Sequence, residues 1–344
     1  MPADHHRHMD DGGPRWKIAA PLTINWTLSN RCSFNCPHCY SRHEPLRELS
    51  LDQIREAMER VAGWGVLAVN FGGGEPLLFP GLFPVIDEAV RRGLRVTLNS
   101  NGYLLDRDMA RRLADVGVYG VGISIDSSLP EIHDRFRGVP GSHQRACRAL
   151  SHLAEAGIRR SISTVVCRIN HTQFAGMISL AEEMGVERIN FHNFKCLRGG
   201  GNAADDLDLS PSQWREFYRS VKGVTPRPPL RIGFDDPIIA SLGLPTESSL
   251  VSGSVCGKLS LAVKGDGSIT PCGFIPQAIG NILTDDLHRL WHESPLLNAL
   301  RHKNPKGKCT GCSHYSSCLG GCSARAIALS GDPETPDPHC WEEG

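Results

Sequence analysis

Between residues 21 and 194, short apolar runs alternate with amphipathic stretches of ten to fifteen residues, and this rhythm constrains the fold more than any other feature of the chain. Parallel strands need long crossovers, so repeated βα units on right-handed connections build a parallel sheet. Six strands are predicted, at residues 22–26, 66–71, 94–98, 119–125, 161–166 and 188–194. The boundaries between them are well marked. Ser50 with Gln53 forms a capping-box pattern, Gly93, Gly117 and Gly157 stand where helices stop, and Ser210-Pro211 with Gln213 opens a further helix. Six such units curl into a partial or full barrel, or lie open as a doubly wound sheet. Either arrangement puts chemistry at the C-terminal ends of the strands.

Composition narrows the function classes. The 344 residues carry 37 Lys+Arg against 37 Asp+Glu, so no basic excess announces nucleic acid or an anionic membrane surface. No apolar run is long enough to span a bilayer, and the N-terminus lacks the apolar core of a signal peptide, which together predict a cytoplasmic enzyme. Disulfides are rare in that compartment, so the 13 cysteines read as metal ligands or reactive thiols. Residues 1–20 read as a disordered tail, with His5, His6 and His8 solvated within it.

Three of those cysteines, Cys32, Cys36 and Cys39, share one loop directly after the first strand. Thiolates are the usual ligands of iron-sulfur clusters, and three of them on four irons leave one iron open. A structural zinc ion is normally closed by four ligands and would need His38 or His43 as the fourth. The triplet, followed by Tyr40, resembles the radical SAM superfamily, whose open iron is chelated by S-adenosylmethionine (SAM). The resemblance favours the partial (β/α)6 TIM-type barrel over the open sheet. It also implies roles for the other strand ends. Gly73-Gly74-Glu75-Pro76 after the second strand looks like the family element that binds the SAM amino group, glycine permitting close backbone approach. Ser100 with Asn101, and Ser124 with Asp126, resemble family contacts to SAM and its ribose. Arg168 and Asn170 match positions that hold its carboxylate or ribose. Capping and turn chemistry is the alternative for these polar residues, and surface exposure for Arg168.

Beyond residue 250 cysteine becomes dense: Cys256, Cys272, Cys309, Cys312, Cys318, Cys322 and Cys340, with a glycine-turn hairpin over residues 261–270. This pattern resembles the SPASM extension of radical SAM enzymes, which carries two auxiliary 4Fe-4S clusters; a zinc ribbon is the alternative. The implied organisation is a tail (1–20), a radical SAM partial barrel (21–235) and a SPASM domain (236–344). By resemblance, Cys309, Cys312, Cys318 and Cys340 close the distal cluster, and Cys256, Cys272 and Cys322 hold the proximal one. The proximal set has three members, leaving an open iron or a fourth ligand such as Cys196. Cys147 and Cys167 read as small core residues.

The resemblance implies that an electron from a flavodoxin or ferredoxin-type donor cleaves SAM to a 5'-deoxyadenosyl radical, which takes a hydrogen atom from substrate. Dehydrogenation and decarboxylation are both open outcomes. Acid/base candidates are His192, Asp235 and Asp236, with Cys196 also on the catalytic side; their alternative role is ordinary hydrogen bonding or capping. Only about twenty residues precede the first strand, and Arg outnumbers Lys as in GC-rich natural-product producers. These features favour a small molecule of sugar, aminocyclitol or nucleoside type. The alternatives are a ribosomally made peptide or a tetrapyrrole, since residues 194–201 also resemble a loop of SPASM enzymes acting on those. A non-catalytic iron-sulfur electron carrier is a further alternative from another class.

Overall fold

A computed structural model of the chain describes residues 18–39, 41, 47–195, 206–245 and 250–343. Seven parallel strands follow one another in sequence order: β1 (Thr23–Ser29), β2 (Ala68–Gly73), β3 (Arg95–Ser100), β4 (Gly120–Ser124), β5 (Arg159–Val166), β6 (Arg188–Asn193) and β7 (Arg231–Phe234). Between them run α1 (Leu51–Trp64), α2 (Leu82–Arg91), α3 (Arg107–Asp115), the pair α4 (Pro130–Arg137) and α5 (Ser142–Glu155), then α6 (Phe174–Glu183) and α7 (Pro211–Val221). The result is a mixed α/β fold of the partial TIM-barrel type. No helix among the described residues is long and apolar enough to cross a membrane.

The helix ends form as the sequence dictates. Ser50 and Ser210 each complete a reciprocal capping box, with Gln53 and Gln213, so two orphan donors are satisfied at each helix start. Beyond α2, α3 and α5, Gly93, Gly117 and Gly157 take positive φ values of 80°, 86° and 72°, a region where a side chain is strained.

The sheet differs from the sequence expectation at its two margins. All six predicted strands form, but β7 is a seventh. Its four residues, Arg-Ile-Gly-Phe, are too short and too polar to announce a strand without the neighbouring β6 ladder. At the opposite margin β8 (Ser260–Val263) pairs in parallel with β1, matching Thr23 to Ser260 and Trp26 to Val263. Strands β9 (Ser268–Thr270) and β10 (Gly280–Asn281) then continue antiparallel, giving ten strands in one sheet. The predicted hairpin exists as β8–β9, but it is also an extension of the barrel.

Strand alternation sorts the barrel into two faces. Ile24, Trp26, Leu28, Val69, Phe71, Val96, Leu98, Ile162 and Phe191 are buried beneath the helices, with Phe191 against Phe174 of α6 and Phe217 of α7 at ring separations of 5.0 and 6.3 Å. Each large side chain so buried contributes about 1.5–3 kcal/mol. The opposite face lines the lumen and is polar: Asn25, Asn70, Thr97, Asn99, Ser161, Ser163, Asn190 and His192. Asn70 donates to Asn25 Oδ1 at 3.2 Å, and Thr97 donates to Asn70 Oδ1 at 3.0 Å. A closed barrel of this type fills its interior with branched apolar side chains. Here the same positions offer amides and hydroxyls.

Candidate active site and cysteine sites

The loop after β1 carries Cys32, Cys36 and Cys39 and is held from three sides. Its start is pinned where Gly74 N donates to Ser29 O at 2.9 Å and Glu75 N donates to Arg31 O at 2.8 Å. This approach explains the glycine. A Cβ on Gly74 would lie 2.2 Å from Arg31 O, a backbone atom that cannot swing aside. At the far end of the loop Ser41 sits 3.4 Å from Cys39 Sγ and donates to Gly73 O at 3.0 Å. The thiols have polar neighbours: Asn101 Nδ2 stands 3.9 Å from Cys32 Sγ, and Arg137 Nη1 stands 4.0 Å from Cys36 Sγ. Burial raises both Cys32 and Cys36 above the usual thiol range, opposed at Cys32 by the Phe34 N–H and at Cys36 by Arg137. Iron ligation would bind them as thiolates. Tyr40 lies outside the described residues.

Glu75 is buried, and its carboxylate braces two strand ends. Oε1 accepts from Ser100 Oγ at 2.8 Å and Leu77 N at 3.2 Å, while Oε2 accepts from Asn101 N at 2.8 Å. Burial pushes this carboxyl up, against the pull of those three donors. A carboxylate has about four acceptor sites, so one is left for a bound amine. Pro76 opens the short 3-10 turn that follows, Pro76–Leu78.

Asp126, at the end of β4, does not stand free for a ribose. Its Oδ2 accepts from Arg137 Nε at 2.6 Å and its Oδ1 from Val165 N at 3.0 Å, both side chains being buried. Burial pushes the carboxyl up, but the Arg137 guanidinium brings it below the usual range. Arg137, at the end of α4, was not singled out by the sequence; the spacing of one strand-end acid and a helix-end arginine is the available signal. Asn170 is likewise occupied. Its amide donates to Asp126 O and Val165 O at 2.6 and 2.8 Å, and its oxygen accepts from Cys167 N at 2.8 Å. Arg168 is exposed and donates to Asp208 O at 2.7 Å. Ser124 is half-buried on the lumen face of β4.

Across the barrel mouth, His192 Nδ1 lies 3.3 Å from Asp235 Oδ2, which also pairs with Lys195 Nζ at 3.0 Å. Burial pushes the Asp235 carboxyl up, and Lys195 with His192 more than reverses this, holding it below the usual carboxylate range. Because Phe191 faces the helices, His192 faces the lumen. Asp236 departs from the sequence expectation. It is 1% exposed, and its oxygens take hydrogen bonds from Asn193 at 2.9 Å, Tyr218 at 3.2 Å and Arg325 at 2.9 Å. A carboxylate so enclosed has no path to a substrate and acts as a structural acceptor. Cys196 lies outside the described residues.

The C-terminal cysteines gather into two places. Cys309, Cys312, Cys318 and Cys340 line one small cavity, together with Lys308, Tyr315 and Glu342. Burial pushes the Cys318 thiol up to about 12. Cys256 and Cys272 are hydrogen-bonded to each other, with Cys322 close by. Cys322 caps α8 (Ser323–Ser330) and its N–H donates to Asp337 Oδ2 at 2.6 Å. Soft, all-thiol sets of this kind suit iron-sulfur clusters. Among the described residues no group of three or more His, Cys, Asp or Glu is placed to hold a single metal ion. Cys147 and Cys167 sit apart in the core, their thiols pushed up by burial to about 11 and about 12.

Comparison with known proteins follows this geometry. Residues 26–181 match the radical SAM superfamily and residues 256–313 match the SPASM iron-sulfur cluster-binding domain. The chain is 30% identical to the AdoMet-dependent heme synthase of Methanosarcina barkeri, over 93% of this chain and 96% of that protein. It is also 30% identical to the mycofactocin maturase MftC of Mycolicibacterium smegmatis, over 94% and 84%. In fold it resembles SuiB of Streptococcus suis bound to S-adenosylmethionine, with a TM-score of 0.78 at 19% identity over 94% of this chain and 78% of that one. SuiB has also been solved with its precursor peptide SuiA bound.

Proposed function

We propose, from the premise that this chain belongs to the radical SAM superfamily and carries its SPASM extension, that it is the maturase of a peptide. It is a radical SAM enzyme, and its cofactors are S-adenosylmethionine and 4Fe-4S clusters. The finer reading of substrate rests on one observation of the fold: a lumen lined by amide and hydroxyl side chains, from Asn25 and Asn70 round to Ser163 and Asn190. Such groups pair with the N–H and C=O of a peptide, which must be satisfied when drawn out of water. The similarity to MftC supports the same reading. The same groups would also pair with the hydroxyls of a sugar or aminocyclitol, and it is the similarity to MftC that favours the peptide.

The Cys32, Cys36 and Cys39 thiolates would hold the cluster that presents S-adenosylmethionine, which supplies a 5'-deoxyadenosyl radical for hydrogen-atom abstraction. Asn101 and Arg137 keep two of those sulfurs in place. Glu75 locks the β2 and β3 loops into one platform beside them. His192, oriented by Asp235 at Nδ1, offers Nε2 as acceptor for a substrate proton, the arrangement of an oriented general base. Cys309, Cys312, Cys318 and Cys340 would hold the distal auxiliary cluster, and Cys256, Cys272 and Cys322 the proximal one.

The test is 5'-deoxyadenosine release by anaerobically reconstituted protein with reductant, against a host extract separated into peptide, tetrapyrrole and other small-molecule fractions. Peptide-stimulated release is expected. Stimulation by the tetrapyrrole fraction alone would overturn the reading in favour of the function named for the Methanosarcina relative.

A further inference from the structure

Lys195 follows β6 at the barrel mouth, with a side chain only 8% exposed. A buried ammonium carries three donors that need partners. Two are met by Asn193 Oδ1 at 2.9 Å and Asp235 Oδ2 at 3.0 Å. On its remaining side the ammonium lies 4.8 Å from the ring centroid of Phe274, two residues beyond Cys272. Barrel strand and auxiliary loop therefore meet at a fixed positive charge.

The ring that the ammonium faces belongs to the proximal site. Phe274 and Cys272 pack against the same buried cluster, which contains Cys322, so the Lys195 charge stands one ring away from those cysteines. Asp235 and Asn193 fix the ammonium there at 3.0 and 2.9 Å. In a water-poor site such a charge is weakly screened, and an iron-sulfur centre responds to local charge and hydrogen bonding in its reduction potential.

We infer that Lys195 is a positioning residue for the proximal auxiliary site, a fixed cation delivered from the barrel that raises the reduction potential of whatever cluster Cys256, Cys272 and Cys322 hold. Asp235 moderates that effect from the other side of the ammonium. The inference rests on the assignment of those three cysteines to a cluster. It is independent of which substrate is processed.

An anaerobic redox titration of the full-length reconstituted protein, followed by electron paramagnetic resonance, tests it. The proximal signal is identified as the one lost in Cys256→Ala. Its midpoint is expected to move to more negative potential in Lys195→Met and in Lys195→Gln, and to stay near the wild-type value in Lys195→Arg, while the other cluster signals hold still. Unchanged proximal midpoints in both Lys195→Met and Lys195→Gln, with iron content intact, would overturn the role of Lys195. So would a common shift of all signals, which marks general loosening. If Lys195→Met fails to retain iron, the shift in Lys195→Gln against the Lys195→Arg value decides. Loss of no signal in Cys256→Ala would overturn the cluster assignment itself.

Discussion

Arg325 Nη2 lies 2.9 Å from Asp236 Oδ1, and neither side chain reaches solvent. Asp236 follows β7 of the barrel, whereas Arg325 belongs to α8, three residues past Cys322. The same guanidinium donates to both oxygens of Asp337, which in turn accepts the Cys322 N–H. A single buried cation thus ties the last barrel strand to the segment that carries Cys322.

Removing Asp236 leaves that cation with one carboxylate instead of two. Asp236→Ala is expected to destabilise the reconstituted protein by about 3 kcal/mol, as for a broken buried ion pair, read as a lower urea midpoint. Glu293→Ala, which breaks the exposed Arg289–Glu293 pair at 2.8 Å, should change stability by less than about 1 kcal/mol. Equal effects would refute the distinction.

Two glycines should behave oppositely. An added Cβ at Gly74 meets Arg31 O at 2.2 Å, while at Gly63, exposed on α1, it meets nothing within 4 Å. Gly74→Ala must displace the cysteine loop, and a misplacement near 1 Å costs about a hundredfold in rate. Gly63→Ala should retain 5'-deoxyadenosine formation within about threefold, as expected of a change that meets no neighbour.

The two ends of the cysteine inventory should separate in function. Cys32→Ala is expected to abolish 5'-deoxyadenosine formation and to lower iron by about four per chain. Cys318→Ala should remove about the same iron from the distal site and leave measurable cleavage of S-adenosylmethionine. Full iron content in either variant would exclude that cysteine as a ligand.

Acid should destabilise the fold through His133, which is 1% exposed and accepts the Asp126 N–H at Nδ1 over 3.1 Å. Burial lowers its pKa from 6.5 to about 4. The unfolded chain therefore binds a proton that the folded chain refuses. Stability is full above pH 6.5, falls as pH drops below it, and levels off near pH 4 after a loss of up to about 3 kcal/mol. The slope of urea midpoint against pH should be shallower in His133→Asn.

Much of this architecture was legible because it is local. The Ser50–Gln53 box, the C-terminal glycines and the six alternating strands each depend on residues a few positions apart. Cys32, Cys36 and Cys39 are equally local, and so is the placement of Glu75 at a strand end. What escaped is long-range. Arg137 reaches Cys36 from 101 positions away, and no spacing rule links a helix-end arginine to a loop thiol. Asp236 reads as an acid/base candidate from its place in the acidic segment 232–237; its partner Arg325, 89 positions on, makes it structural. Lys195 carries no local signal either, its meaning residing in Phe274 and Asp235. Strand β7 needed β6 beside it to be recognised.

The ladder between β1 and β8 gives the C-terminal region an unusual mechanical standing. Backbone hydrogen bonds stitch residues 260–263 onto residues 23–26, so the auxiliary cysteines hang from the same sheet that presents the Cys32 loop. The spacing between the two cysteine-bearing regions is therefore set by a strand lattice and not by a tether. Excision of the C-terminal region would bare the β1 edge to other chains, leaving an adhesive half-molecule where a simpler enzyme would have been expected.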